Sequence, residues 1–374
     1  MINKKRLLDT LIELLKIKSP SKNEKEIANY VSKRLKSLGL EVNVDRCGHE
    51  FGSNAGNVIA LYKTKNPSGS SPIFLAAHLD TVNVVGDILP VIKSGKIFNK
   101  NKECILGGDD KVAVAAIIEV LNVIKERNIP TGDIYILFTI SEEIGILGAK
   151  CINLDLIKAK YGFAFDSDGD IGTIVNRAPY QNSIYAHFKG KAAHSGIEPE
   201  KGINSIKAAS IAISNMKIGR IDKESTCNVG KIEGGIAKNI VAENTKLEME
   251  ARSLKLSGLD KITREMINDL KKGAKMTGAS LSYEIIREYD GFKVTEDAMP
   301  VQIAKKAIRK LKLRPKIISS GGGSDVNIFN SKGKIAVNLS AGMENVHTNK
   351  EFVKVEQLEK LADLVLEICK FVIK

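Results

Sequence analysis

Short apolar runs that stop abruptly on an acid or a histidine constrain this chain more than any other feature. Pro72-Ile73-Phe74-Leu75-Ala76-Ala77 runs into His78, and Ile134-Tyr135-Ile136-Leu137-Phe138-Thr139-Ile140 runs into Ser141-Glu142-Glu143. Tyr161-Gly162-Phe163-Ala164-Phe165 runs into Asp166, and Ile335-Ala336-Val337-Asn338-Leu339 leads, after a loop, to His347. Such runs read as strands. Between them, Asp110 to about Arg127 reads as a largely buried helix, with Pro130 just beyond it. Strand–helix–strand alternation predicts an α/β architecture, a mainly parallel sheet flanked by helices. Ligands of open α/β sheets bind outside the carboxyl ends of the strands, so these polar groups could converge on one crevice.

The rest of the chain fills in around that frame. Leu7, Leu8, Leu11, Leu14 and Leu15 fall at helical spacing. Ser21-Lys22-Asn23-Glu24 has the spacing of a capping box for a helix running to about Leu38 and stopped by Gly39. Strands are expected near 41–45, 57–62 and 73–77, with a turn over Lys65–Ser71. From about Arg177 to Tyr289 the order changes to strand, helix, strand, strand, helix, strand, the split βαβ arrangement of a small α+β module. It reads as an insertion, residues 177–290, between residues 1–176 and 291–374 of the first domain. Helix–strand alternation resumes with 300–311, 316–319, 335–339 and a closing helix from Val355 onward.

A length of 374 residues suits two or three domains rather than one core. The formal charge of +13 raises the question of nucleic acid, but the lysines are dispersed and there is no Trp, so a solvated basic surface is expected instead. The five cysteines contain no Cys-x-x-Cys pair, which points to reduced thiols in a cytoplasmic protein rather than a disulfide framework. Lys4-Lys5-Arg6 before an apolar stretch imitates a signal peptide, yet Asp9 and Glu13 interrupt it, and no segment is apolar enough to span a membrane.

The chemistry these residues offer is that of metal-assisted hydrolysis. Two metals held ~3.5–4 Å apart need a carboxylate or water between them and one or two further ligands each, and zinc accepts imidazole and carboxylate. Any single pair, His78-x-Asp80 or Glu142-Glu143, has an ordinary surface reading. Their combination at strand ends does not. Asp80 could orient His78, because metal-bound imidazoles hand their second N–H to such a group. In Gly107-Gly108-Asp109-Asp110 one acid could face the crevice while the other caps the helix. Glu142 and Glu143 suggest one metal ligand and one proton acceptor. Asp166-Ser167-Asp168-Gly169-Asp170 is no calcium loop, since Ile171 stands where Gly is needed and no Glu closes it. Ser319-Ser320-Gly321-Gly322-Gly323-Ser324 could form an anion nest or a flexible turn. His194 sits in a Gly-rich loop of the inserted module, whereas His49 and His187 read as structural.

These segments resemble the di-zinc exopeptidases and amidohydrolases that include peptidase T, carboxypeptidase G and acetylornithine deacetylase. The likeness is greatest to the peptidase T-like group, through His78-Leu79-Asp80-Thr81-Val82, Ile105-Leu106-Gly107-Gly108-Asp109-Asp110-Lys111 and Ser141-Glu142-Glu143-Ile144-Gly145. Gly190-Lys191-Ala192-Ala193-His194-Ser195-Gly196, Asn239-Ile240-Val241, Glu250-Ala251-Arg252-Ser253 and Gly321-Gly322-Gly323-Ser324-Asp325 extend it. The resemblance implies two Zn2+ per subunit, with Asp109 bridging, His347 and Glu143 completing one site, and His78 and Asp166 the other. It implies that Asp80 orients His78, that Glu142 is the general base, and that the Asp109–Asp110 peptide is cis. The inserted module becomes a lid that in many relatives also dimerises. Its His194 would steady the oxyanion, and Asn239 and Arg252 would hold polar groups of a small peptide substrate, with Gly322 and Gly323 assigned beside them.

Val112-Ala113 after the Asp109-Asp110-Lys111 segment, where relatives commonly have small residues including Gly, and the extra acids near Asp166 depart from the pattern without removing a ligand. The expectation is therefore a cytoplasmic zinc aminopeptidase acting on short peptides, in the manner of a tripeptidase. A deacylase or carboxypeptidase shares every ligand, and a non-catalytic binding protein of the same fold is a more distant alternative.

Overall fold

The Ile73–His78 and Ile134–Thr139 strands are buried along their whole lengths, and they lie side by side at the centre of a parallel sheet. The computed structural model describes residues 1–67 and 69–371. Ser68, within the expected Lys65–Ser71 turn, and Val372-Ile373-Lys374, after the closing helix, lie outside the described residues. The chain divides into two units. The first takes Met1–Asn176, Lys293–Ser319 and residues from Ser324 onward; the second takes Arg177–Phe292 and Ser320–Gly323.

In the main sheet of the first unit the strand order begins Glu41–Val44, Val58–Tyr62, Ile134–Thr139, Ile73–His78, Tyr161–Ser167, Ile335–Ser340 and Thr173–Ala178, and Lys316–Ser319 also pairs with Thr173–Ala178. The four strands from Ile134–Thr139 to Ile335–Ser340 run parallel, and the flanking pairs are antiparallel. This is the α/β class the alternation predicts. The Lys111–Glu126 helix is buried along almost all of its length, as its apolar sequence requires. Packing at the sheet centre is tight: Phe74 is fully buried, meets Phe329 edge-on with ring centroids 5.3 Å apart, and stands opposite Gly162 in the register. A Cβ on Gly162 would lie 2.0 Å from the Phe74 ring, so the glycine there makes room for an aromatic ring. A smaller four-stranded sheet, from Pro90–Lys93, Lys96–Asn99, Met343–Glu344 and Phe352–Lys354, has no counterpart in the sequence reading. Its strands are two to four residues long and carry little periodicity.

The second unit is the α+β module. Its antiparallel sheet runs Gly219–Arg220, Ser225–Gly234, Asn244–Ser253, Tyr180–Lys189, Ser280–Tyr289, and the Ser205–Asn215 and Leu256–Thr277 helices are its two helices. Ile184, Ala186 and Phe188 from the Tyr180–Lys189 strand pack with Ala208, Ala212, Leu259, Met266 and Leu270 of the helices, one core of its own.

Three local expectations are corrected. The helix after Ser21 begins at Lys25, and Glu24 makes no capping bond because its carboxylate is engaged elsewhere. Asp110 occupies the N-cap position of the Lys111–Glu126 helix without a side-chain cap; its Oδ2 accepts the His78 N–H instead, at 3.3 Å. Cys47 and Cys151, 104 residues apart, are placed as a disulfide with Cα atoms 5.6 Å apart, while Cys104, Cys227 and Cys369 are free and buried. No helix among the described residues is long and apolar enough to cross a membrane.

Candidate metal centre

Each strand of the parallel core delivers a polar group at its carboxyl end. His78 closes the Ile73–His78 strand, Asp166 lies near the end of Tyr161–Ser167, and Glu142-Glu143 follow Ile134–Thr139 by a short turn. Asp109 comes from the loop before the Lys111–Glu126 helix, and His347 from the loop after Ile335–Ser340. Asp109 and Asp110 are joined by a cis peptide bond.

These groups gather into two clusters that share one carboxylate. His78, Asp109 and Asp166 form the first, and Asp109, Glu143 and His347 the second, with ligand atoms in each within 4.8 Å of one another. Asp109 divides itself between them: Oδ1 lies 3.1 Å from His78 Nε2, and Oδ2 lies 3.2 Å from His347 Nε2. Asp166 Oδ1 is 3.6 Å from His78 Nε2. Glu143 Oε1 is 2.9 Å from His347 Nε2, yet this buried oxygen has no hydrogen-bond partner. Two donor atoms so close without a hydrogen bond between them suit a shared third atom, and imidazole with carboxylate is a donor set for zinc. The residues present therefore fit a pair of divalent ions.

The carboxylates and imidazoles of the two clusters perturb one another strongly. The Asp109 and Glu143 carboxylates raise the half-exposed His347 to about 10. Burial pushes His78 down, but the Asp109, Asp166 and Asp80 carboxylates win and hold it well above its usual value. Burial likewise acts upward on Asp109, and its two imidazole partners bring it down to about 2. Asp166, with only a distant imidazole, is left raised to about 6 by burial. Burial, then the Asp166 charge, keeps the Glu142 carboxyl well above the carboxylate range.

The groups behind these residues are as specific as the residues themselves. His78 Nδ1 faces the backbone carbonyl of Asp80 at 2.9 Å, with the Asp80 carboxylate further off at 3.6 Å. That carboxylate instead accepts the N–H groups of Glu142 (2.9 Å) and Glu143 (3.2 Å) and the hydroxyl of Ser21 (2.6 Å). Asp80 thus sets the direction of two carboxylates as well as standing beside an imidazole. Glu351, buried, accepts the N–H groups of Gly107, Gly108 and Asp109 at 2.7, 2.7 and 3.1 Å, which fixes the Asp109 loop. Asn338 Oδ1 accepts the Asp166 N–H at 2.9 Å, and Asp325 Oδ2 accepts the Thr139 hydroxyl at 2.5 Å. Glu351 and Asn338 carried no signal in the sequence, because their partners are well over a hundred residues away.

The remaining expected residues belong to the second unit. His194 is exposed, and its Nδ1 accepts the Gly196 N–H at 3.2 Å, so the ring proton belongs on Nε2, where it can be donated. Asn239 lies alongside, its carbonyl accepting the Ser195 N–H at 3.0 Å. Arg252 donates to Glu250 Oε2 at 2.9 Å, and its buried Nε–H has no partner. The Gly322 N–H is taken by the Ser320 hydroxyl at 3.0 Å, and a Cβ on Gly323 would meet the Tyr289 ring at 2.3 Å. The glycines therefore answer first to a turn and to close packing.

The family model for peptidase family M20/M25/M40 matches residues 74–370. The chain belongs to this peptidase family. Among its relatives, YqjE of Bacillus subtilis (strain 168) is 39% identical over 368 residues, covering 98% of each chain. Among solved structures, the aminopeptidase PepT from Bacillus cereus ATCC 10987 is 40% identical with a TM-score of 0.89, and a tripeptidase from Staphylococcus aureus subsp. aureus Mu50 is 38% identical with a TM-score of 0.93. In both cases the match covers 99% of this chain and 98% of the other. Membership of the M20 family accounts for the parallel sheet with an α+β insertion.

Proposed function

We propose that this M20 peptidase is a two-metal aminopeptidase, zinc-dependent, that removes the N-terminal residue from short peptides such as tripeptides. The observation that carries it is the division of Asp109, one oxygen to each of two His/carboxylate clusters. The aminopeptidase and the tripeptidase that share its fold at 40% and 38% identity support the choice of peptide end and length.

When bound, a pair of divalent ions would polarise the scissile carbonyl and bring the pKa of a water toward neutrality. His78 and Asp166 would hold one ion, His347 and Glu143 the other, and Asp109 both. Glu142, its carboxyl raised by burial, takes a proton from the attacking water and delivers it to the leaving amine nitrogen. His194 supplies the Nε2–H donor for the oxyanion, and such donors act on charge that develops in the transition state. Arg252, with an unpartnered Nε–H, suits a substrate carboxylate, since a guanidinium binds carboxylates bidentately. Asn239 would add a polar contact. The Ser280–Tyr289 edge strand, with Tyr283, Ile285 and Ile286 exposed, suits pairing with a second copy, which sedimentation would detect.

Hydrolysis of four compounds tests the reading: a free tripeptide, its N-acetyl form, a dipeptide and an N-acetyl amino acid. Release of the N-terminal residue from the free tripeptide alone is expected. Cleavage of only the acylated compounds would overturn it in favour of a deacylase.

A further inference from the structure

The Ser21-x-x-Glu24 segment, which by spacing is a capping box, is spent on something else. Glu24 is fully buried. Its Oε1 accepts the Lys22 N–H (2.9 Å), the Ser141 N–H (3.0 Å) and the Ser141 hydroxyl (2.7 Å), and its Oε2 accepts the Ser53 hydroxyl (2.7 Å). Ser141, the residue before Glu142-Glu143, sits in the left-handed region at φ +53°, where a residue with a Cβ needs outside support. Three residues upstream of Glu24, Ser21 donates to Asp80 Oδ2, the same carboxylate that receives the Glu142 and Glu143 N–H groups. Thr81 is tied further to the Ser19–Ser21 segment by backbone bonds, Ser21 N–H to the Thr81 carbonyl at 3.2 Å and Thr81 N–H to the Ser19 carbonyl at 2.9 Å.

We propose that Glu24 is a positioning residue: with Ser21 it clamps the Ser141 turn from behind and so aims Glu142 and Glu143 at the metal clusters. This rests on the reading of those two glutamates given above. What the clamp needs from Glu24 is reach and acceptor oxygen, not charge. Glutamine of the same length can place its carbonyl oxygen on Lys22 and Ser141 and turn its amide toward the Ser53 hydroxyl, which can accept. Aspartate keeps the charge but withdraws the carboxylate by about 1.5 Å, one carbon–carbon bond, and cannot serve Ser53 and Ser141 together.

The test is therefore the pair Glu24→Gln and Glu24→Asp in the full chain, with Leu35→Ala, a buried position of the following helix, as the baseline for lost stability alone. Cobalt titration of the metal-free protein and kcat and KM on a tripeptide are the readouts. Glu24→Asp should lower kcat about 10- to 100-fold, with KM within about threefold, and weaken one of two cobalt ions by a similar factor, the range seen when partners behind metal ligands are removed. Glu24→Gln should stay close to the parent in both, and Leu35→Ala should lower Tm without moving either. A glutamine variant as impaired as the aspartate variant, or two variants that lower Tm while leaving kcat and cobalt binding intact, would overturn the clamp. Because cobalt binding is read without substrate, it decides the clamp even where the parent chain cleaves no peptide.

Discussion

Replacing Asp80 by Asn separates the two tasks this residue combines. The substitution is isosteric, and it leaves untouched the backbone carbonyl that faces His78 Nδ1 at 2.9 Å. It must, however, turn one carboxylate oxygen into an NH2 group. If that group takes the Oδ1 position it confronts the Glu142 N–H at 2.9 Å; if it takes the Oδ2 position it meets the Ser21 hydroxyl, which can reverse and accept, and the Glu143 N–H at 3.2 Å, which cannot. The second arrangement costs less, so the loss falls on Glu143. A hydrogen bond to a charged group contributes about 1.5–3 kcal/mol, and at 1.36 kcal/mol per decade this is a roughly 10- to 150-fold fall in kcat if the whole loss appears in the transition state. Calorimetric titration of the metal-free variant should show one ion bound as in the parent, through His78 and Asp166, and the Glu143 ion weakened. Equal weakening of both ions would mean that the Asp80 carboxylate acts through His78 after all. A kcat within threefold of the parent would refute the argument that the carboxylate aims the glutamates.

Other perturbations follow from the same geometry. Glu142→Gln should keep both metals and lose about two to four orders of magnitude in kcat, the range for a general base, as read by metal analysis beside turnover. His347→Ala should retain one tightly held ion, whereas Asp109→Ala should weaken both, because Asp109 is shared by the two clusters; equilibrium dialysis distinguishes them. Gly162→Ala should destabilise the protein by about 1–3 kcal/mol through overpacking against Phe74, and Phe74→Leu should relieve part of that in a double-mutant cycle of urea unfolding. His194→Ala should lower kcat by about two to three orders with metal content unchanged, the loss expected for one oxyanion donor.

The sheet could be read in the sequence because a strand buried on both faces must be apolar throughout, and an acid or histidine at its end stands out against that background. The same contrast exposed the Glu142-Glu143 pair, His78 and Asp166, of which the fold brings His78, Asp166 and Glu143 together with Asp109 and His347. What escaped was set by partners remote in the chain. Glu24 matches a local capping pattern, and only the fold reveals that its partner is Ser141, 117 residues away. Glu351 looks like any acid before a strand until Gly107–Asp109 arrive at its carboxylate. Cys47 and Cys151 share no spacing motif, and the strands of the small sheet are too short to show a period.

The parallel sheet also sets an order of events during synthesis. The Tyr161–Ser167 strand pairs on one side with Ile335–Ser340, which is made about 170 residues later, and at ~5–20 residues per second the ribosome takes roughly 10–30 s to supply it. All five strands of the second unit's sheet lie between Tyr180 and Tyr289, so that sheet can close while the first is still missing a central strand. His347 emerges later still. The nascent chain therefore carries Asp109, Asp166 and both glutamates for many seconds before their last imidazole exists, and the candidate metal centre is among the final parts of the molecule to become complete.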